Sequence, residues 1–345
     1  MSPLGTATVG VVVPAYDAER WLPMTLESLR RQTFTDWVCV VVDDGSHDGT
    51  AQLVRDVGAD DPRITLLQKP NAGVTAARNT GIGALPDVEL LAFVDSDDLL
   101  LPDTFEVLVG ALRTRPDAVG AFGLAEHIDA AGARVSPGAH PAVQRSRRRY
   151  VGSRWWGRLE PLQGNDDLTL TELAVNNPFW PPATGMVRAA AVRAVGAFDE
   201  AYRVQEDWEL WLRLQAHGPF VALDTVVAEY RRHEGNLTLD DLTNVRTQAR
   251  MRAALARAGD SAQADLVTGA WRALQRGRLF HLVWLASRGA RDRDPVLVLQ
   301  AAAALVLVTP QLLLPRPPVP GRMFAVIRRL ESRADARVRR SRDVG

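Results

Sequence analysis

Cysteine is nearly absent from this chain: Cys39 is the only one in 345 residues, which excludes any disulfide within it. It sits in the apolar run Val38–Val42, where a thiol behaves as a small buried hydrophobe, and it fits a reducing compartment. The Cys/His clusters that zinc prefers are also missing. No basic leader precedes the first apolar run, and Val9–Val13 is too short for the core of a secretion signal, so a cytoplasmic location is expected. No Gly-x-Gly-x-x-Gly follows that run, which argues against a dinucleotide oxidoreductase, and no segment repeats along the chain.

Net charge is absent as well, but only in the sum. Residues 1–245 carry 34 Asp and Glu against 22 Lys and Arg, a net of −12, whereas residues 246–345 carry 7 against 19, a net of +12. Hydrophobic residues at 46% and charged residues at 24% describe a globular chain, so this asymmetry separates two folded parts with different tasks. A catalytic or binding part over 1–241 is expected, followed by a basic helical region over 242–345. The first divides near residue 117 into a regular half and a less regular one. No nucleic-acid partner is expected.

What the first half has is alternation. The apolar runs Val9–Val13, Val38–Val42, Ile64–Leu67 and Leu90–Val94 read as buried strands. Between them lie helical patterns: one capped by Asp17 with Leu22, Leu26 and Leu29 on one face, one from Asp48 or Thr50, and one from Thr75. A fourth starts at Pro102-Asp103, with Phe105, Leu108, Ala111 and Leu112 inward. Such alternation predicts an α/β fold: a Rossmann-related, mainly parallel sheet flanked by helices on both faces. Ligands of such sheets bind beyond the carboxyl ends of the strands. From Ala118 to Leu239 the pattern loosens into a basic loop at Arg145–Arg149, Trp155, Trp156 and Trp180 as packing residues, a helix start at Glu206-Asp207, and a strand over Val226–Tyr230.

The acids fall at those strand ends. Leu90–Val94 runs directly into Asp95-Ser96-Asp97-Asp98, and Val38–Val42 into Asp43-Asp44. Like charges about 4 Å apart repel by roughly 4 kcal/mol at an effective dielectric of about 20, so a counter-charge is expected at Asp95–Asp98. Oxygen donors suit a hard divalent ion, Mg²⁺ or Mn²⁺. A nucleoside-diphosphate sugar matches the rest: Asp44 can accept from a base N–H, Asp95 from ribose hydroxyls, and Asp97 can hold the ion that bridges the diphosphate.

Taken in order, Val-Pro-Ala-Tyr at 13–16, Val-Asp-Asp-Gly-Ser at 42–46 with Asp48 and Thr50, Asn71-x-Gly73, Ala77-Arg78-Asn79-x-Gly81, Asp95-Ser96-Asp97 and Glu206-Asp207 resemble the family 2 glycosyltransferases over residues 8–240. The resemblance implies a GT-A fold, a UDP-, GDP- or dTDP-linked sugar as donor, and inversion at the anomeric carbon. It places Pro14, Ala15, Tyr16 and Asp44 around the base with Asp43 nearby, Arg78 on the base or diphosphate, and Asp95 with Ser96 on the donor. Asp97 becomes the metal ligand, Asp207 the catalytic base, and His233 a metal or phosphate contact. A glycan or lipid-linked acceptor, as in surface polysaccharide or glycolipid synthesis, is implied too. Two alternatives stand beside this: a binding module that has lost catalysis, and a sugar nucleotidyltransferase. The latter would carry a Gly-rich basic loop where this chain has Pro14–Glu19.

Towards the C-terminus, Ala270–Ala290 interleaves Trp271, Leu274, Leu282 and Leu285 with Arg272, Arg276, Arg278 and Arg288. Val296–Leu314 follows with 19 uncharged residues, of which the densest stretch is only 13 long. Peripheral contact with a membrane surface is expected here, ahead of a helical cap or a membrane span.

Overall fold

The computed structural model describes residues 7–85, 87–135, 148–152, 157–161, 167–173, 177, 179–233 and 261–292, with a few isolated positions beside them. By its contacts the chain divides into two compact units. One comprises Met1–Arg147 and Pro161–Asn236, the other Arg148–Glu160 and Leu237–Gly345.

In the first unit strands and helices alternate from the start: β1 (Val9–Ala15), α1 (Leu22–Arg30), β2 (Trp37–Asp43), α2 (Thr50–Asp60), β3 (Ile64–Gln68), α3 (Val74–Ala84) and β4 (Leu90–Phe93). The residues of β1 and β4 are all buried and those of β2 nearly so, because helices cover both faces; hence these segments read as unbroken apolar runs and not as alternation. On one face α1 lays Leu22, Leu26 and Leu29 against the valines, each burial contributing about 2 kcal/mol. The start of α1 differs from expectation. Asp17 does not cap it; the helix begins at Leu22-Pro23 after Trp21, while Asp17 turns to φ 46° and accepts a hydrogen bond from His47 N at 2.7 Å. Asp48 does serve α2, accepting from Thr50 N at 3.0 Å.

Beyond β4 come β5 (Leu99–Leu100), α4 (Thr104–Thr114) and β6 (Gly120–Ile128). The second unit's β7 (Arg148–Gly152) and β8 (Gly157–Pro161) intervene before β9 (Asp167–Leu168), α5 (Leu170–Leu173), β10 (Gly185–Arg188), α6 (Ala189–Ala194), α7 (Glu206–Leu214) and β11 (Phe220–Arg231). The central sheet has the order β3-β2-β1-β4-β10-β6-β11-β5, with β9 beside β11. Its first four strands are parallel, as the alternation predicts. The remainder is mixed, because β10 runs antiparallel to both β4 and β6. A 3₁₀ turn over Pro182–Thr184 brings the chain in at the carboxyl end of β4, so no crossover returns it to the other edge and the strand must run backwards.

That insertion is tightly packed. Phe122 on β6 stacks on Phe179 with ring centroids 3.7 Å apart and lies over Gly185, where an added Cβ would fall inside the Phe122 ring. Gly185→Val is therefore expected to cost about 3 kcal/mol, read as a lower denaturant midpoint in chemical unfolding; an unchanged midpoint would contradict this packing.

The second unit contains the two-stranded β7–β8 sheet and α8 (Ser261–Arg291), a helix of 31 residues that packs on β7. Among the described residues no helix is long and apolar enough to cross a membrane. Val296–Leu314, Arg145–Arg147, Trp155 and Trp156 lie outside the described residues, apart from isolated helical positions at 298 and 302.

Candidate active site

Because β1, β2 and β4 are parallel neighbours, their carboxyl ends open side by side, and each delivers part of the predicted motif. After β4 the chain makes the acidic turn Asp95–Asp98, closed by Asp98 N donating to Asp95 O at 3.1 Å. Two elements far away in sequence hold it. Thr25 of α1 donates to Ser96 O at 3.0 Å and Asp98 O at 2.9 Å. Arg231, at the end of β11, gives its backbone N–H to Asp98 Oδ1 at 3.2 Å and its Nε–H to Asp97 O at 3.1 Å.

The three acids of the turn have separate fates. Asp98 is fully buried and its Oδ2 has no hydrogen-bond partner among the described residues; burial first, then the charges of Asp97 and Asp95, hold its pKa well above the ordinary range. Both causes disfavour its charged form. Asp95 is half-buried and paired at 2.5 Å with Arg78 Nη2. Asp97 lies 2.8 Å from His233 Nε2 through its Oδ2. Burial raises the Asp97 pKa and Asp95 adds to this, while the His233 contact opposes it. The His233 ring in turn stacks on Trp21, with centroids 5.4 Å apart and planes 28° from parallel.

Arg78 differs from its expected place on the base or diphosphate. Its side chain is only 2% exposed, and its two terminal nitrogens bind carboxylates on either side: Asp95 at the strand end and Glu206 at the start of α7. A guanidinium so enclosed is a bridge between the two acidic motifs. Next to Glu206, Asp207 is buried, accepting from Asn177 Nδ2 at 2.9 Å and from Trp208 N at 2.7 Å. Its pKa is pushed up to about 7, by burial first and by the Glu206 charge second, with Arg78 opposing. Trp208 anchors this end of α7 by donating its indole N–H to Leu173 O at 2.9 Å.

At the end of β2 the acids face inward. Asp43 accepts from Ser46 N at 2.9 Å and Gln68 Nε2 at 3.0 Å, forming the tight turn its sequence suggests. Asp44 accepts from Lys69 Nζ at 2.7 Å, Ala72 N at 3.0 Å and Gly73 N at 2.7 Å, so its carboxylate is filled by the loop it organises. Gly73 is at φ 93°, a conformation open mainly to glycine. Of the other residues expected at the base, Pro14 and Ala15 are buried in β1, with Ala15 O accepting from Asp44 N at 2.8 Å, while Tyr16 is 47% exposed beside His47.

The structure thus joins Asp95, Arg78, Glu206 and Asp207 in one buried chain of charges, and Asp97 with His233 in a second pair. Thr25, Trp21, Arg231 and Asn177 escape sequence reasoning. A threonine in a helix and a tryptophan before one carry no signal of what they reach across the fold. Among the described residues no group of three or more His, Cys, Asp or Glu side chains forms a closed metal cage. Asp97 and His233 nonetheless place an oxygen and an imidazole nitrogen side by side, donors of a kind that would hold a divalent ion.

With that geometry in hand, comparison with known proteins is direct. Residues 10–170 match the model of the family described as Glycosyl transferase family 2. Over this segment, a little under half of the chain, the sequence is similar to that family. Asp207 and His233 lie beyond the matched stretch. A chondroitin synthase from Escherichia coli is 24% identical over 234 residues, covering 68% of this chain and 30% of that protein. The putative glycosyltransferase EpsH of Bacillus subtilis is 29% identical over 160 residues, 46% of either chain. The chain therefore spans less than half the length of each of these relatives. Among solved structures, the mannosyltransferase PcManGT from Pyrobaculum calidifontis, in complex with GDP-Man and Mn²⁺, superposes with a TM-score of 0.60 at 17% identity, covering 96% of this chain and 87% of that one. S. aureus TarS 1–349 in complex with UDP-GlcNAc gives 0.58 at 18% identity, covering 95% and 88%. The chain accordingly has the GT-A fold.

Proposed function

We propose that this chain is a metal-dependent, inverting glycosyltransferase that moves a sugar from a nucleoside diphosphate to an acceptor hydroxyl. The observation that carries this reading is Asp207: a buried carboxylate with a pKa near 7, linked through Glu206 and Arg78 to Asp95 at the strand end where the donor belongs. A carboxylate poised near neutrality suits the work of a general base.

In this mechanism the donor's ribose meets Asp95 and the turn at Ser96, and its base lies towards Tyr16 and the loop that Asp43 and Asp44 shape. Asp207 takes the proton from the acceptor hydroxyl as that oxygen attacks the anomeric carbon. The bond to the diphosphate oxygen breaks on the opposite face, so the centre inverts in one displacement. Mg²⁺ or Mn²⁺ held by Asp97 and His233 would supply Lewis-acid stabilisation of the departing diphosphate. Support for the donor class comes from the GDP-Man and UDP-GlcNAc complexes of the structural neighbours, and for a divalent ion from the Mn²⁺ beside GDP-Man. Similarity to a chondroitin synthase favours a glycan or lipid-linked acceptor in polysaccharide or glycolipid synthesis. The single, buried Cys39 fits a cytoplasmic setting, with the basic C-terminal region at a membrane surface.

The reading is tested by nucleotide release from UDP-, GDP- and dTDP-sugars with Mg²⁺ or Mn²⁺ in the assay. One donor class is expected to turn over, with a rate that rises through an acid limb near pH 7 and is lost on chelation. No release from any donor would overturn it.

A further inference from the structure

Three polar side chains on α3, Thr75, Arg78 and Asn79, are spaced i, i+3 and i+4 and therefore share one face of the helix. The face beside it, with Ala77 and Gly81, lies on the sheet; a Cβ at Gly81 would strike Val12 of β1. The polar face does something else. Thr75 Oγ1 donates to Tyr202 O at 2.8 Å. Asn79 reads the backbone of Phe198 twice, donating from Nδ2 to its carbonyl at 3.0 Å and accepting its N–H on Oδ1 at 2.9 Å. Arg78 binds Glu206. All three therefore grip one segment, residues 198–206, which leads directly into Asp207.

That segment needs holding. Ala197 and Gln205, at its two ends, both sit at φ 57°, a left-handed conformation that residues other than glycine keep only where their surroundings over-determine it. Between them the Phe198 ring packs edge-on against Phe93 at the end of β4, with centroids 4.9 Å apart, and lies 5.4 Å beneath the Arg78 guanidinium. The strand that delivers Asp95 and the loop that delivers Asp207 are thus docked on the same helix face.

We propose that Thr75, Arg78 and Asn79 form a clamp that positions the catalytic base, setting the distance between Asp207 and the donor end of β4. They are positioning residues: they act on the reaction through Glu206 and Asp207. This rests on Asp207 being the base. It assigns Arg78 to the acceptor side of the reaction, where the resemblance had implied contact with the donor.

The test compares Asn79→Leu and Thr75→Val, in the full chain, by nucleotide release from the donor that turns over and by equilibrium binding of the corresponding nucleoside diphosphate with Mn²⁺. Both variants are expected to lose at least about tenfold in kcat, with donor KM and nucleotide Kd within about twofold of the parent. Thr75→Ser, which keeps the hydroxyl, should restore kcat. Arg78→Met should also move the acid limb of the rate profile upward by about one pH unit, because the positive charge that opposes protonation of Asp207 is gone. Should Asn79→Leu not fold, Thr75→Val, nearly isosteric, carries the test. A tenfold rise in donor KM with kcat intact, or wild-type kinetics in both variants, would overturn the clamp. Asp207→Asn run alongside separates the two claims: if it keeps turnover the base assignment fails, and if it loses turnover while the α3 variants do not, only the clamp fails.

Discussion

Asp207→Asn is expected to lower transfer by about 10³-fold, while Mn²⁺-dependent nucleotide binding stays within about twofold of the parent. The substitution is close to isosteric and leaves Asp97 and His233 untouched. It removes the group that takes the acceptor proton and weakens one of the two hydrogen bonds that now come from Asn177 and Trp208. A pH profile sharpens the test. In the parent the rate should fall about tenfold per pH unit below pH 7, as the base protonates; the residual rate of the variant should lack that limb. Stability moves the opposite way. The folded-state pKa, about 7, is above the ordinary 3.8, so the folded chain binds more protons than the unfolded chain between these values. Its stability from this group is fully present below that window and declines as pH rises through it, and Asp207→Asn should flatten the slope. Near-parental turnover in the variant would remove Asp207 from the mechanism.

Which features could be read beforehand follows from how local their causes are. The strands β1, β2 and β4 are legible because burial on both faces forces continuous apolar runs, and the turns after them because Asp, Gly and Ser mark them. β10 is not. Four residues, Gly185–Arg188, carry no period, and their antiparallel direction is decided by a turn and by the Phe122–Phe179 stack. At the site, the acids announce themselves by type and by place at strand ends. Their charge states do not, since these depend on neighbours contributed from elsewhere. Asp98 looks like one more anion of the turn in the sequence and is fully buried in the fold, where burial and its acidic neighbours raise its pKa. Arg78 looks like a surface arginine or a donor ligand and is an internal counter-ion 128 residues from Glu206. The sequence poses the electrostatic problem of Asp95–Asp98 and conceals that Arg78 supplies part of the counter-charge from within the fold.

That partial solution makes Asp97 the informative position. With Asp98 buried and Asp95 paired to Arg78, Asp97 is the acid of the turn that lies against His233. Asp97→Ala is accordingly expected to weaken Mn²⁺-dependent nucleotide binding by about 10–100-fold, the scale on which metal sites respond to loss of a supporting group. Titration of the nucleoside diphosphate with Mn²⁺ and with EDTA measures it directly: the parent should bind far better with the ion, and the variant should bind equally weakly in both. Asp98→Asn provides the contrast. It exchanges the buried carboxyl for an amide of the same shape, keeps an acceptor for Arg231 N, and should leave the Mn²⁺ dependence in place. If Asp97→Ala retained the parent's Mn²⁺ dependence, the ion would have to be held elsewhere, and the pairing of Asp97 with His233 would be an internal hydrogen bond of the fold. If Asp98→Asn lost it, Asp98 would be ionised when the donor is bound, and the turn would carry the full charge that its sequence displays.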